Sequence, residues 1–327
     1  MRPPLLIVNP ACGARSGARG SARGLLRVLT RVEQVLGDVA IRYTARRGHA
    51  RELAFEAARE GYPLIVAVGG DGTFSEVANG VLAAAEVGRA VEAGPAEEES
   101  PTVGLINVGT GGDFRRSLGI GPGFESCLAA LASGRERTVD VGRATFRGMD
   151  GSQVEQYFVN VLSAGLGGLV DRYIETMPAL LGGRAGYYLA ALRAVIVSKE
   201  RPVLARITWQ DDAREQIIPA YLIAVCNGRW FGGGMDVAPM ALPDDGRLEV
   251  VTITAPSKPY LADRVRGVYT GRHLEEPTVH HFPCHRIELH LEDQAAERRF
   301  LLDVDGEALG SLPLSVEVLP KRLSVRA

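Results

Sequence analysis

With 327 residues the chain exceeds one ordinary domain, so two are expected, each able to bury its own core. A formal net charge of −2 argues against a nucleic-acid partner. Four cysteines (Cys12, Cys127, Cys226, Cys284) lie without metal-ligand spacing, which fits a reducing cytosol better than a disulfide scaffold.

Leu5-Leu6-Ile7-Val8 reads as a buried strand, entered without a secretory pattern, so cytoplasmic residence is expected. It opens into Asn9-Pro10-Ala11-Cys12-Gly13, a strand-to-glycine transition suited to cradling phosphate. Arg15, Arg19, Arg23, Arg27 and Arg31 then recur along a helical pattern. Only three of the 37 basic residues are lysine, so this stripe reads first as a solvated face and second as a surface for anionic lipid. Val39 to Thr44 is the next strand, followed by a helical segment from Gly48 to Arg59.

The organising stretch comes next. Leu64-Ile65-Val66-Ala67-Val68 is a strand buried on both faces, and it ends in Gly69-Gly70-Asp71-Gly72-Thr73-Phe74-Ser75-Glu76 before a helical pattern begins. Glycines let the backbone turn sharply and approach a ligand, and a helix N-terminus adds free donors and positive potential. Asp71 is an anion, as phosphate is, so its expected partner is the cation that travels with a polyphosphate, Mg²⁺. The segment from Glu86 to Ser100 reads as an exposed loop. Thr102 to Val108 is a fourth strand, closed by Gly109-Thr110-Gly111-Gly112-Asp113-Phe114. Parallel strands present their C-terminal ends on one edge, so Asp71 and Asp113 are expected to face the same crevice.

From about residue 143 short strands dominate: Gln156 to Leu162, Val203 to Trp209, Ile217 to Cys226, Leu248 to Thr254, Ile287 to Leu291 and Phe300 to Asp303. One segment, Leu180 to Ser198, is helix-like and apolar, a packing helix or a wall for an acyl chain. The most apolar window, Pro178 to Val197, carries Arg184, Arg193 and several glycines, so it is not expected to span a bilayer. Asp244-Asp245-Gly246 reads as a tight turn, and His280, His281, His285 and His290 as a half-exposed strand region without zinc spacing. Leu301-Leu302-Asp303-Val304-Asp305-Gly306-Glu307 ends in another Asp-Gly turn.

These motifs resemble a family. Gly69 to Thr73 looks like the nucleotide loop of diacylglycerol kinases, sphingosine kinases, NAD kinases and, more distantly, phosphofructokinases. Gly109 to Ile120 resembles the Gly-Thr-x-Asn-Asp-Phe-Ala-Arg-Ser-Leu-Gly-Ile signature of diacylglycerol-kinase-type lipid kinases. It matches at Gly109, Thr110, Asp113, Phe114, Arg116, Ser117, Leu118, Gly119 and Ile120. Gly112 stands where Asn is usual, which removes one polar contact to nucleotide or substrate, and Arg115 where Ala is usual. Asn9, Pro10 and Gly13 match the family's Asn-Pro-x-x-Gly, and Thr44 takes the place of a nucleotide-contacting Thr. Thr138-Val139-Asp140-Val141-Gly142 resembles the link between domains, with Asp140 in the active-site network. Leu242, Asp245 and Arg247 match a structural Mg²⁺ site of one carboxylate and flanking carbonyls. Asp305-Gly306-Glu307 is similar to the catalytic turn, with Glu307 as proton acceptor.

The resemblance implies a Rossmann-like α/β domain over residues 1–140, to which 315–327 return, and a C-terminal antiparallel β-sandwich over 141–314. It implies a lipid kinase using ATP and Mg²⁺ in an interdomain cleft. The backbone at Asn9 to Gly13, Gly69 to Glu76, Gly109 and Thr110 would hold the nucleotide, with Asp71, Asp113, Asp140, Asp305 and Glu307 catalytic. The partner is a lipid such as diacylglycerol, met by transient membrane-surface contact. NAD kinase and an inactive nucleotide-binding regulator are the competing readings. The lipid's identity and the oligomeric state, a homodimer included, stay open.

Overall fold

The apolar runs of the first third assemble into a parallel sheet. The computed structural model describes residues 2–12, 22–91, 100–109, 111–176 and 183–327. The chain divides into two compact units, Met1–Val139 with Lys321–Ala327, and Asp140–Pro320.

In the first unit, β1 (Leu5–Val8), α1 (Ala22–Leu36), β2 (Ala40–Tyr43), α2 (His49–Arg59), β3 (Leu64–Gly69), α3 (Asp71–Val91), β4 (Thr102–Asn107), α4 (Asp113–Ser117) and α5 (Phe124–Ser133) follow one another. The strands lie in the order β2-β1-β3-β4, all parallel, and Val325 and Arg326 pair parallel with Val103 and Gly104 at the far side of β4. Every residue of β1 and β3 is buried, as continuous apolar runs require when helices cover both faces. Gly80 lets α3 close on α2, since a Cβ there would stand 2.3 Å from the Arg51 carbonyl oxygen. α3 runs on to Val91, past the expected loop start at Glu86, because the Ala-Glu-Val-Arg composition carries the helix through a single Gly88. Of the basic stripe, Arg27 and Arg31 are exposed on α1. Arg15, Arg19 and the side chain of Arg23 lie outside the described residues.

The second unit contains β5 (Glu136–Gly148, begun in the first unit), β6 (Gln153–Phe158), β7 (Val161–Gly165), α6 (Leu166–Thr176), α7 (Gly183–Val197), β8 (Arg201–Trp209) and β9 (Asp212–Ala220). It continues with β10 (Leu222–Cys226), β11 (Trp230–Phe231), β12 (Met235–Asp236), β13 (Leu248–Ile253), α8 (Lys258–Val268), β14 (Val279–Cys284), β15 (Arg286–His290), α9 (Gln294–Glu297), β16 (Leu301–Val304) and β17, which starts at Glu307 and ends in the first unit at Arg326. Antiparallel pairing joins β14-β13-β10-β7-β16-β17, and β17 also pairs with β15, which leads through β8 to β9.

Leu162, Ile223, Val250 and Leu302 pack against Val203, Ile207, Ile287 and Leu314 to fill the sandwich. The opposite face of β7, β10 and β13, through Val161, Ala224 and Val251, packs on Ala190, Ala194 and Val195 of α7 and on Leu261 and Val268 of α8. Covered on both sides, Leu222–Cys226 is buried throughout. The expected single strand from Ile217 to Cys226 is two strands. β9 pairs with β8, β10 with β7 and β13, and the chain changes partner at Tyr221, whose N–H donates to the Ile253 carbonyl at 2.8 Å. The expected helix at Leu180 to Ser198 is α7; its first expected residues, 180–182, lie outside the described residues. α6 and α8 are additions to the expected pattern. No helix among the described residues is long and apolar enough to cross a membrane.

Candidate active site

β1, β3 and β4 end side by side in the first unit, and three turns meet there. Asn9 follows β1: its N–H donates to the Val68 carbonyl at 3.0 Å, its Oδ1 accepts the Ala11 N–H at 3.0 Å, and its Nδ2 donates to Thr73 Oγ1 at 3.3 Å. The turn after β1 is thereby tied to the first turn of α3. The turns after β3 and β4 are in backbone contact, since a Cβ on Gly109 would stand 2.9 Å from Gly70 Cα and 3.5 Å from Cys12 Sγ. Only glycine permits that approach. Pro10 and Ala11 are exposed, Cys12, Gly70 and Gly72 half-buried, and Thr44 donates its N–H to the Val8 carbonyl at 2.9 Å beside this edge. Gly13 and Thr110 lie outside the described residues.

Asp71 opens α3, and one of its oxygens is fully engaged. Oδ2 accepts the N–H groups of Gly112 at 2.6 Å and Asp113 at 3.1 Å. Oδ1 is buried and meets no hydrogen-bond donor among the described residues. A buried carboxylate oxygen whose lone pairs meet no donor is costly unless a cation answers it. This oxygen therefore fits Mg²⁺, a hard cation that takes carboxylate ligands alongside phosphate. Asp113 differs: its buried carboxylate already pairs with Arg116 at 2.5 Å.

Three residues expected to hold nucleotide serve the fold. Phe74 is 1% exposed, with its ring 4.9 Å from that of Phe114. Ser75 is buried, its carbonyl taken by Asn79 Nδ2 at 2.9 Å. Glu76 accepts the N–H groups of Gly48 at 2.9 Å and Ala50 at 3.0 Å, capping α2 where no N-cap side chain does so.

In the second unit, Asp305 and Gly306 form the two-residue turn between β16 and β17, with φ of +51° and +88°. Two left-handed residues in a two-residue hairpin loop are the reason for the Asp-Gly pair. The Asp305 carboxylate does not face solvent as a surface acid would. Its Oδ2 accepts the Val159 N–H at 3.0 Å, and Oδ1 those of Asn160 at 3.0 Å and Val161 at 3.1 Å. It clamps the turn that presents Glu307 onto the β6–β7 connection.

Asp140 is fully buried; its N–H donates to the Pro243 carbonyl at 2.7 Å and its Oδ2 accepts the Gly246 N–H at 2.6 Å. Asn227 Nδ2 bridges the carbonyls of Asp140 and Val159, both at 2.8 Å, and so links the Asp305 clamp to the 242–247 loop. That loop leads from β12, which pairs with β11, into β13, which pairs with β10 and β14. Burial pushes the Asp245 carboxyl up, and Arg247 holds it back. Arg247 Nε lies 2.9 Å from Asp245 Oδ2 and 3.3 Å from Glu249 Oε1, and the Arg247 N–H reaches Asp245 Oδ1 at 3.3 Å. Of the expected cation site at Leu242, Asp245 and Arg247, the single carboxylate thus lies against Arg247 of the same loop.

A further acidic pair escaped the sequence reading. Asp303 on β16 and Asp171 on α6 are 3% and 7% exposed and hydrogen-bond to each other. Burial, and then the charge of Asp171, push the Asp303 carboxyl well above its ordinary range. Asp303 Oδ1 accepts the Gly306 N–H at 2.7 Å, so this pair also supports the Glu307 turn.

The diacylglycerol kinase catalytic domain profile matches residues 3–144, and that of the YegS C-terminal NAD kinase β-sandwich-like domain matches residues 160–327. The chain belongs to the YegS and diacylglycerol kinase family of lipid kinases. The chain is 28% identical over 289 residues to the diacylglycerol kinase of Bacillus subtilis, covering 86% of this chain and 83% of that one. It is 27% identical over 290 residues to the probable lipid kinase YegS-like of Yersinia enterocolitica, covering 88% and 86%. To the YegS-like protein of Chromohalobacter salexigens it is 30% identical over 224 residues, spanning 68% of this chain and 64% of that relative. Its fold matches a crystal structure of a diacylglycerol kinase from Bacillus anthracis with a TM-score of 0.67 at 23% identity, covering 99% and 96% of the two chains.

The signal that could have found the acidic pair lies at Gly167-Gly168. A Cβ on Gly167 would stand 1.9 Å from Ser163 Oγ, and one on Gly168 would stand 2.7 Å from the Leu301 carbonyl carbon. The two glycines mark a helix laid directly on the strands, which turns Asp171, one helical turn on, toward Asp303.

Proposed function

We propose that this chain transfers the γ-phosphate of ATP to a lipid hydroxyl, with diacylglycerol as the first substrate to test. The observation that carries the reading is Asp71: one oxygen is fixed by two backbone N–H groups, and the other is buried and unanswered at the start of a 21-residue helix. The glycine turns at Gly69 to Thr73 and around Gly109, held together through Asn9 and Cys12, offer backbone donors to the phosphates. Mg²⁺ held by Asp71 would offset charge on the phosphoryl group in transfer. Glu307, which opens β17 beside the clamped Asp305, is proposed to take the hydroxyl proton, since an unactivated alcohol is a poor nucleophile.

Support for a lipid partner is a row of apolar side chains left in water on α7: Leu189, Ile196 and Val197 are 44%, 69% and 53% exposed. Such a row suits brief contact with a membrane surface. The test is transfer of radiolabelled phosphate from ATP to diacylglycerol, sphingoid base and a total lipid extract, each with Mg²⁺ and with a chelator. A labelled phosphatidic acid that needs the metal supports the proposal. Label appearing in no lipid would refute it.

A further inference from the structure

One polar group is missing from the Gly109 to Ile120 signature. Asn is usual where Gly112 stands, so that position contributes no carboxamide here. A Cβ built on Gly112 would stand 2.2 Å from Asn107 Nδ2, 3.4 Å from Asn107 Cγ and 3.0 Å from Arg115 Nε. The space a side chain at 112 would need is thus filled by the Asn107 carboxamide.

The orientation of that carboxamide is set by its own hydrogen bond. Oδ1 accepts the Gly109 N–H at 2.9 Å, which turns the Nδ2 end toward Gly112. Nδ2 carries two N–H donors and meets no acceptor among the described residues. Asn107 is the last residue of β4, half-buried, at the edge where Asp71 accepts the Gly112 N–H. Gly112 has a φ of +86°, a left-handed conformation that asparagine tolerates better than most residues. An asparagine at position 112 would therefore have to displace the Asn107 carboxamide, while the backbone itself would tolerate it.

We infer that Asn107 supplies to the nucleotide's phosphate oxygens the amide donors that the signature carries at position 112, so that Asn107 and Gly112 form a matched pair. The inference rests on the ATP reading above and names a binding residue for the same site. A structural alternative, in which Asn107 only secures the Gly109 N–H, makes a different prediction for the variants.

The experiment is calorimetric binding of ATP with Mg²⁺ to the full chain, alongside thermal melting, for wild type, Asn107→Ala, Asn107→Asp, Gly112→Asn and Asn107→Ala with Gly112→Asn. A hydrogen bond to a charged group corresponds to roughly 10- to 100-fold in affinity. Asn107→Ala and Gly112→Asn should each lose about that much, the first by losing the amide and the second by collision. The double variant should return to within roughly threefold of wild type. Asn107→Asp keeps the acceptor for Gly109 without the donors, so it should melt like wild type and bind ATP weakly, which covers the case that Asn107→Ala does not fold. Wild-type affinity in folded Asn107→Ala or Asn107→Asp, or a double variant no better than the worse single one, overturns the inference alone. A wild type that binds no ATP overturns it together with the nucleotide reading.

Discussion

Asp171 on α6 and Asp303 on β16 meet as two carboxyl groups shielded from water, with Ser163 Oγ 3.5 Å and the Gly306 N–H 2.7 Å from the Asp303 oxygens. Two carboxyl groups can hydrogen-bond to each other only with a proton between them, as like charges sharing a site cannot both ionise. The unfolded chain releases that proton near the ordinary Asp range, about 3.9, while the folded chain keeps it to higher pH. Between those points the folded state binds more protons, so the pair's contribution to stability is complete below the unfolded value and falls as pH rises through the folded one. Asp303→Asn, which can donate to Asp171 without a titrating proton, should flatten that slope. Denaturant melts from pH 4 to 9, taken as the difference between wild type and variant, would show it; parallel curves would contradict the shared proton.

Asp305 should act through Glu307. Removing its carboxylate strands the N–H groups of Val159, Asn160 and Val161, and each unsatisfied buried donor costs about 1–3 kcal/mol. Asp305→Ala should therefore lower the melting temperature and turnover together. Asp305→Asn, which keeps one acceptor oxygen, should fall between. Steady-state kinetics beside melting curves would separate the effects.

Glu307→Gln removes the proposed base with little change of shape. Turnover should fall by roughly 10²- to 10⁴-fold while ATP affinity is retained. Near-normal turnover in this variant would remove Glu307 from the role.

Asp71 and Glu76 are five residues apart in one motif and should behave differently. Asp71→Asn removes the charge of the carboxylate proposed to hold Mg²⁺ and should abolish the metal dependence of ATP binding. Glu76→Ala removes the acceptor for Gly48 and Ala50, and should cost about 0.5–2 kcal/mol of stability with ATP affinity unchanged in the folded fraction. Calorimetry on both variants distinguishes a ligand-facing acid from a helix cap.

The order of buried strands and glycine turns was legible in the sequence, because a strand covered on both faces must be apolar throughout and a tight strand-to-helix turn needs glycine. Leu64–Gly69 and Thr102–Asn107 announce themselves in this way, and with them the edge that carries Asp71. The individual duties of the acids were not legible. Asp71 and Glu76 share one glycine-rich motif and Asp305 sits in another, yet the first keeps a buried oxygen without a donor among the described residues, the second caps a helix 26 residues away in sequence, and the third clamps a turn to a connection 144 residues away. Likewise Asn107 and Gly112 read as a strand end and a missing amide until the backbone brings one carboxamide into the other's place. Sequence fixes what local backbone and burial require; which donors an oxygen finds depends on segments distant in the chain, and only their packing decides it.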